Sequence, residues 1–478
     1  MSLNLLAIFP ELLLLILGVL LLVIDPFWKK EDRRVNLGWY SAGGLFAVII
    51  LSLIFARPTG SESAFGGMIR YDGLAFVFKM LFIFAAALTS LFFMDAERLQ
   101  NRAEAYLLLI ASTIGMSLMA SATDLVMLYL AIETTSIPMY VLSGFLLDDD
   151  RSTEAGFKYL LFGALTSATF LYGLSLIYGF SGTTQLEAMG GFFGTFNPVS
   201  LGVLFLLVVG VGFKISLVPF HFWAPDVYQG APTSVAGFLS TASKAAGFAV
   251  LIRLLMIAFP QMAVDWQMLL AILATISMTL GNLVALAQTN IKRLLAYSSI
   301  AHAGYALVGL VANNELGLNS VVYYLIAYML TNLAAFAIVA AFGRVTGSDE
   351  LRAYDGMSRR SPYLGLAMLI AFLSLSGMPP FGGFIAKVLV FAAAIQDGWY
   401  WLVFVGIINS IIGVYYYLTV LKYVYLYRME GEVEKQNPIQ VSRPFVLGLS
   451  IATLGIIVVG VIFSPWFGLA EFATKGLL

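Results

Sequence analysis

The chain has 478 residues, of which 60% are hydrophobic and only 11% are charged, and its formal net charge is −1. Soluble domains average roughly 25% charged residues, so this composition predicts an integral membrane protein. The near-zero charge gives no support for a nucleic-acid partner, and the absence of cysteine excludes disulfides and thiolate-bound metals or iron–sulfur clusters.

Apolar runs long enough to cross a bilayer, about 20 residues each, recur along the whole chain. The first run is too long for a cleaved signal peptide and lacks its basic start, so we expect it to remain as a helix. The twelfth run is overlong and contains "SGMPPFGGF", which predicts a helix broken at Pro379 and Pro380. The predicted spans lie near 5–24, 36–56, 74–94, 105–121, 124–146, 157–180, 200–221, 233–258, 267–288, 294–312, 317–343, 363–396, 399–427 and 444–467. The sequence therefore predicts an all-α polytopic fold of about fourteen transmembrane helices.

Basic residues collect in every second loop, apart from the loop after span seven, which has none, and this places those loops on the cytoplasmic side of the membrane. The intervening loops hold chiefly Arg57 and Arg70. Both termini are therefore expected on the outer, periplasmic side, in agreement with an even number of spans. The basic residues of the predicted inner loops are Lys29, Lys30, Arg33, Arg34, Arg98, Arg102, Arg151, Lys158, Lys292, Arg293, Arg344, Arg352, Arg359, Arg360, Arg428, Lys435 and Arg443.

Four ionisable residues lie deep inside predicted spans: Glu133, Lys214, Lys244 and Lys387. A charged residue at the centre of a span costs about 2.5–3.5 kcal/mol on insertion scales, so such side chains normally face a bundle interior or a water-filled path. One of them alone could simply pair with a neighbour and stabilise packing, but four are harder to explain in this way. Because burial disfavours the charged form, buried lysines and glutamates exchange protons readily near neutral pH, which favours a proton relay.

Other polar residues in the spans carry less weight. His302 could relay protons between the lysines of spans eight and twelve, or it could be a hydrogen-bonded interior histidine. His221 lies at the break in span seven, where it could line an access path or cap loose backbone. Lys79 and Glu11 lie near span ends and are expected to snorkel to the membrane interface.

Prolines interrupt two spans close to a buried lysine. Pro219 follows Lys214 in span seven, and Pro379 and Pro380 precede Lys387 in span twelve. Inside the membrane a helix break is tolerated only where it is surrounded by protein or lines a water-filled cavity. Breaks in two corresponding segments are typical of ion sites in transporters with inverted repeats. The two spans are five apart, an odd offset, so they have the opposite topology that an inverted repeat of spans 4–8 and 9–13 requires. We therefore divide the chain into N-terminal helices (1–104), a first repeat (105–258), a second repeat (259–427) and a C-terminal helix (428–478).

Several motifs resemble a known family. The segment "FKISLVPFHFWAPDVYQGAPTSVAGFLSTASK" resembles one shared by antiporter-like membrane subunits of respiratory complex I and of cation/proton antiporter complexes. Within that group, "PDVYQGAP" and "KRLLAYSSIAHAGYALVG" resemble the subunit N family of bacterial NADH:quinone oxidoreductase (complex I, NDH-1). The resemblance runs from about Asp124 to Lys387, and the fourteen-span plan extends it across the chain.

The resemblance implies roles for individual residues. Glu133 in "AIETTSIPMY", Lys214 in "GFKISLVPFH", Lys244 in "STASKAAG" and Lys387 in "GFIAKVLVF" match the family's proton-path residues, and His302 matches a histidine of some members. The implied mechanism has Glu133 and Lys214 as a charge pair in a first half-channel. Lys244 connects it to a second half-channel, in which Lys387 is the terminal donor or acceptor.

The implied function is that of a proton-translocating subunit of a translocase, NADH:quinone oxidoreductase, in the bacterial cytoplasmic (inner) membrane. We find no Walker loop and no GxGxxG motif after a strand, and two histidines with few clustered acids leave little to hold a metal. No cofactor or metal is therefore expected on this chain. NADH, FMN, iron–sulfur clusters and quinone are expected in partner subunits.

The expected partners are other membrane subunits of complex I, including other antiporter-like subunits, and the lipid bilayer. One alternative in the same class is a subunit of a multi-subunit sodium/proton antiporter or membrane-bound hydrogenase. An alternative of another class is a structural membrane spacer, against which the buried charges and the two broken helices argue. The sequence leaves the choice between H⁺ and Na⁺ and between ubiquinone and menaquinone open.

Overall fold

The structure, a computed structural model, describes residues 4–28, 30–96, 98–189, 198–427 and 439–477, with the side chains of 30–35 outside the description. Helices dominate because a chain in lipid must satisfy its backbone hydrogen bonds internally. The α-helices are α1 (Phe9–Ile24), α2 (Lys30–Phe55), α3 (Gly73–Phe93), α4 (Ala103–Ser121), α5 (Leu125–Ser143), α6 (Asp150–Ser181), α7 (Pro198–Ile215), α8 (Trp223–Gly230), α9 (Thr233–Phe238), α10 (Lys244–Arg253), α11 (Ala263–Leu286), α12 (Ile291–Val311), α13 (Glu315–Thr346), α14 (Met357–Arg360), α15 (Pro362–Ser376), α16 (Gly382–Gln396), α17 (Tyr400–Tyr425), α18 (Arg443–Val461) and α19 (Phe463–Thr474).

The number of membrane-crossing segments agrees with the sequence. Within the described ranges, thirteen helical segments are long and apolar enough to cross a membrane. Two shorter apolar helices, α15 and α16, together fill the predicted twelfth span, so the polytopic all-α prediction is confirmed. A small antiparallel hairpin of β1 (Glu62–Ala64) and β2 (Ile69–Tyr71) was not predicted, because three-residue strands are too short to show an alternating pattern.

Both predicted helix breaks are present. The helix α7 ends at Ile215, the chain turns at Ser216 (φ 59°), and α8 begins at Trp223. In the second break α15 ends at Ser376, and Gly377 takes the left-handed conformation (φ 82°) that commonly ends a helix. Gly377 is required for a second reason, since a Cβ there would lie 2.8 Å from the Cδ of Lys387.

The last predicted span is shorter than expected. The sequence predicts one helix over 444–467, but α18 ends at Val461 and a separate helix, α19, begins at Phe463. Ile462 between them is not helical (φ −110°, ψ 67°). Pro465 lies in the first turn of α19, where its missing N–H breaks no helical hydrogen bond, so it favours a new helix start over a continuous span.

The core of the fold is formed by the segment 233–258 and by α12 and α13, whose apolar windows are almost entirely buried by other helices. The segment 233–258 consists of α9, a π-helical turn (Leu239–Ser243), α10 and a second π-helical turn (Leu254–Ala258). Polar side chains on these helices cannot reach lipid, so they must find partners inside the protein. Lys29, Arg428 and Lys435 of the predicted inner loops lie outside the described residues.

Candidate functional site: buried lysines

The first part of the site lies between α5, α6 and α7. Lys214, near the end of α7, is 5% exposed, and its Nζ donates a hydrogen bond to Ser136 Oγ at 2.5 Å. Glu133 lies about one turn before Ser136 on α5 and accepts a hydrogen bond from the Ser167 hydroxyl of α6. Glu133 acts electrostatically on Lys214, but no direct ion pair joins the two within the described part of the chain. Glu133 and Lys214, the expected charge pair, therefore make no direct contact, and Lys214 is hydrogen-bonded to the Ser136 hydroxyl instead.

The second part of the site is Lys244, at the start of α10 directly after the first π-helical turn. Such turns inside α-helices are frequent at functional sites. Lys244 is 2% exposed, and its Nζ donates to both the carbonyl oxygen and the hydroxyl of Ser299 on α12, each at 2.9 Å. The buried Lys244 amino group is thus held by neutral oxygens of a neighbouring helix.

Tyr228 on α8 is fully buried. Its hydroxyl is near those of Ser216, two residues after Lys214, and of Ser299, the partner of Lys244. It makes no direct hydrogen bond within the described residues. The short helix α8 therefore places a buried hydroxyl near the serine that binds Lys244.

His302 lies on α12, and both Lys244 and Lys387 act on it electrostatically. Its Nδ1 is hydrogen-bonded to the Tyr324 hydroxyl at 2.6 Å and its Nε2 to the Tyr417 hydroxyl at 3.1 Å. A neutral imidazole donates through one nitrogen and accepts through the other, so this pair of hydroxyls can serve either tautomer. His302 is thus a hydrogen-bonded interior residue, and its role as a relay between the two lysines stays a prediction.

Lys387 lies on α16, just after the second break. Its Nζ donates to the carbonyl oxygens of Leu375 at 3.2 Å and Ser376 at 3.0 Å, and to Ser410 Oγ at 3.0 Å. The end of α15 frees these carbonyls, because the last carbonyls of a helix have no partner within it. The break thus supplies the oxygens that hold the lysine, and the Tyr305 ring adds a cation–π contact with its centroid 4.9 Å from Nζ.

His221 lies in the first break and is 4% exposed. Its ring packs against Phe222 with centroids 4.6 Å apart, and Lys244 acts on it electrostatically. Its Nδ1 has no hydrogen-bond partner among the described residues. The choice between an access path and a backbone cap stays a prediction.

Lys79 and Glu11 are buried, so the prediction that they snorkel to the interface is wrong. They are 3% and 6% exposed, and Lys79 Nζ lies 2.8 Å from Glu11 Oε1. Lys79 also donates to the Ala7 carbonyl at 2.7 Å. Position along a span does not reveal which face of a helix is covered, and here the two side chains meet inside the N-terminal helices.

A second buried ion pair was missed from the sequence. Arg253, in "AVLIRLL", is 1% exposed, and its Nη1 and Nη2 donate to the two carboxylate oxygens of Asp72 at 2.9 and 2.7 Å. Burial alone raises the pKa of Asp72, but the Arg253 guanidinium and the Ala75 amide outweigh it and hold that pKa below its ordinary value. An arginine inside a 26-residue apolar segment was the available signal.

No three or more histidine, aspartate or glutamate side chains come together as metal ligands would in the described residues. What the site brings together is instead a series of buried basic groups, each beside hydroxyl or carbonyl oxygens. Such an arrangement is suited to passing protons between neighbouring groups, because hydroxyls both donate and accept hydrogen bonds.

Comparisons with known proteins identify the family of this chain. The family model described as "NADH:quinone oxidoreductase/Mrp antiporter, TM" matches residues 122–413. NADH-quinone oxidoreductase subunit N of Trichlorobacter lovleyi is 41% identical over 485 residues, covering 99% of this chain and 98% of the relative. Subunit N of Heliobacterium modesticaldum is 41% identical over 470 residues, covering 98% of each.

Solved structures show the same fold. A chain of respiratory complex I from Thermus thermophilus with bound aureothin superposes with a TM-score of 0.81 at 34% identity, covering 97% of this chain and 99% of that one. A chain of the Mrp complex from Dietzia sp. DQ12-45-1b gives a TM-score of 0.86 at 18% identity, covering 99% and 97%. At that identity the second likeness bears on the fold alone.

Proposed function

This chain belongs to the subunit N family of NADH-quinone oxidoreductase, within the NADH:quinone oxidoreductase/Mrp antiporter transmembrane family, and we propose that it moves protons across the bacterial inner membrane as part of that complex. One observation carries the proposal. Lys214, Lys244 and Lys387 are each buried and each held by hydroxyl or carbonyl oxygens, with no carboxylate in direct contact in the described residues. A buried ammonium without a carboxylate partner is costly, so each lysine gives up its proton readily when an acceptor is near.

The first transfer starts at Lys214. The charge of Glu133 favours the charged form of Lys214, so moving Glu133 away favours release of the proton. The Ser136 hydroxyl accepts from Lys214, and the Tyr228 hydroxyl lies near Ser216 and near Ser299, which binds Lys244. The proton then passes toward Lys244.

The second transfer runs from Lys244 to Lys387. Both lysines act electrostatically on His302, and the hydroxyls of Tyr324 and Tyr417 contact its two ring nitrogens. Histidine is the side chain whose unperturbed proton affinity best suits a relay near neutral pH. Lys387, at the second break, is the terminal group from which the proton leaves or at which it arrives.

The driving energy comes from partner subunits. We propose that this chain carries no cofactor, and that NADH oxidation and quinone reduction take place elsewhere in the complex. One relative of known structure is a chain of an assembled respiratory complex I, which supports membrane subunits as partners. The likeness to an Mrp complex concerns the fold alone, so the full-length relatives at 41% identity favour complex I over a sodium/proton antiporter.

The proposed orientation has both termini on the periplasmic side. Basic residues from four predicted inner loops, Arg98, Arg151, Lys292 and Arg344, line one cavity of about 540 Å³. Arg70, from a predicted outer loop, pairs instead with Glu187 at 3.2 Å. This segregation supports the positive-inside assignment.

Lys244→Met in the whole complex tests the function. The purified complex is reconstituted into liposomes in sodium-free buffer, and protons moved per NADH oxidised are measured from the pH gradient. Lys422→Met, which alters an exposed lysine near the end of α17, is the matched control. We expect the ratio to fall for Lys244→Met and to stay at the wild-type value for Lys422→Met. A wild-type ratio in Lys244→Met, or no proton movement by the wild-type complex without sodium, would contradict the function.

A further inference from the structure

The short helix α8 is tied to the helices on either side of it. Trp223 Nε1 donates to the Phe213 carbonyl of α7 at 3.0 Å, which fixes the start of α8 against the first half of the broken span. At its other end, a Cβ on Gly230 would lie 2.2 Å from the Arg151 carbonyl, so α8 is in close backbone contact with α6. Helix α8 also packs on α12.

Asp226, in the middle of α8, joins α6 to α12. Its Oδ2 accepts from Lys158 Nζ of α6 at 2.7 Å, and its Oδ1 accepts from Arg293 Nη1 of α12 at 2.7 Å. Each carboxylate oxygen therefore binds one cation, and the two cations come from the predicted first and second repeats. Charge-assisted hydrogen bonds of this length are about twice as strong as neutral ones.

Because Asp226 lies on α8, its two ion pairs also affect the surroundings of Lys244. Tyr228 is two residues further along the same short helix, and its hydroxyl lies beside Ser216 and Ser299. Ser299 in turn holds Lys244. A rotation or shift of α8 would move the Tyr228 hydroxyl away from one or both serines.

We propose that Asp226 is a positioning residue for proton transfer: by binding Lys158 and Arg293 together, it holds α8 against α7 and α12 so that the Tyr228 hydroxyl stays near Ser216 and Ser299. This role rests on the proton transfer proposed above and adds two residues to it. Asp226 sets the position of α8, and Tyr228 is the group whose position matters. Neither residue was among those predicted from the sequence, where Lys158 and Arg293 were counted only as loop charges.

A neutral variant of Asp226 should still assemble, because both cations keep another partner. Lys158 Nζ also lies 2.7 Å from Glu154 Oε1. Arg293 also donates to Gln229 Oε1 at 3.1 Å and to Gln288 Oε1 at 3.3 Å. Removing the aspartate charge thus loosens α8 without leaving a cation stranded.

The test measures protons moved per NADH oxidised in liposomes containing the whole complex. Asp226→Asn should lower this ratio by about fivefold, the scale of a typical coupling between sites. Asp226→Glu, which keeps a carboxylate, should retain more of it. Tyr228→Phe should lower the ratio as Asp226→Asn does, and the double variant should be no worse than the more severe single one, since both act on the same step. An unchanged ratio in Asp226→Asn, or losses that multiply in the double variant, would overturn the role.

Glu154→Gln is the matched control, because Glu154 binds the same Lys158 but its removal leaves both Asp226 contacts in place. Its ratio should match the wild type. If Asp226→Asn assembles poorly, Arg293→Gln removes only one of the two contacts and carries the same test: a lowered ratio supports the role and an unchanged one overturns it. Lys244→Met distinguishes failure of the proposed proton transfer from failure of the positioning role. A wild-type ratio in Lys244→Met would contradict the proton transfer itself. A lowered ratio in Lys244→Met together with a wild-type ratio in Asp226→Asn would contradict only the positioning role of Asp226.

Discussion

The Nζ of Lys387 lies 4.9 Å from the centroid of the Tyr305 ring, so this buried ammonium faces an aromatic surface where a carboxylate would be the common partner. Neutral groups supply its other contacts, namely the freed carbonyls of α15 and the Ser410 hydroxyl. Such surroundings stabilise the charged lysine moderately, which suits a group that must both bind and release a proton.

Replacing Tyr305 tests whether the contact with its ring matters for the proposed binding and release of a proton at Lys387. Tyr305→Phe keeps the ring and loses only the hydroxyl that accepts from Asn282, so proton movement per NADH should stay near the wild-type value. Tyr305→Leu removes the ring face, and with it a contact worth up to about 2 kcal/mol when desolvated, so the ratio should fall. The measurement is the pH gradient formed by the reconstituted complex. Equal ratios in the two variants would show that the ring face has no part in the function of Lys387.

Glu133 is expected to act on Lys214 through its charge. Glu133→Gln keeps a hydrogen-bonding partner for Ser167 but removes the charge, whereas Glu133→Asp keeps a titratable carboxylate. Protons moved per NADH should therefore fall more in Glu133→Gln than in Glu133→Asp. A larger loss in the aspartate variant would indicate that side-chain length, and not charge, is what Glu133 contributes.

Tyr417 is expected to matter through its hydroxyl. That group contacts His302 Nε2 at 3.1 Å as well as the Ser298 hydroxyl, so Tyr417→Phe should lower the proton ratio. The adjacent Tyr416 donates to Asn282 Oδ1 instead, which makes Tyr416→Phe a matched control with one hydroxyl removed from the same helix. A loss of the same size in both variants would point to packing of α17 in place of a contact with His302.

The Glu11–Lys79 pair should govern stability and not transport. Removing one partner of a buried ion pair typically destabilises a protein by about 3–5 kcal/mol, because the other charge is left buried and unpaired. Lys79→Met should therefore lower the temperature at which the purified complex loses its assembly. The double variant Glu11→Leu with Lys79→Met should recover most of that loss, because no buried charge remains. A double variant as unstable as the single one would contradict this explanation.

The sequence predicts the fold well where the physical constraint is strong. A span must be about 20 apolar residues long, so the count of crossing segments follows from hydropathy. Pro219 and the pair Pro379–Pro380 cannot continue a helix, and both breaks occur where they predict. Lys214, Lys244 and Lys387 stand out for the same reason, since lysine is costly inside an apolar run, and all three are buried.

The partners of these lysines could not be read from the sequence. Serines and tyrosines are common in the spans, and nothing local distinguishes Ser136, Ser299 and Ser410 from the others. Asp226 is 68 residues from Lys158 and 67 from Arg293, so only the packing of three helices reveals their shared contact. A charged residue inside an apolar run can be recognised from the sequence. The groups that contact it depend on how each helix is rotated toward its neighbours, which the sequence does not show.

Lys214→Ala is the sharpest test of proton transfer through this chain, because it removes the proposed proton carrier at the first break while Glu133 keeps its contact with Ser167. The measurement is protons moved per NADH oxidised by the reconstituted complex, with the amount of assembled complex checked alongside and Lys422→Ala as the exposed-lysine control. We expect a strongly reduced ratio with normal assembly for Lys214→Ala, and a partial loss for Lys214→Arg, since arginine stays charged and cannot release its proton. A wild-type ratio in Lys214→Ala would contradict the claim that this chain moves protons through its buried lysines.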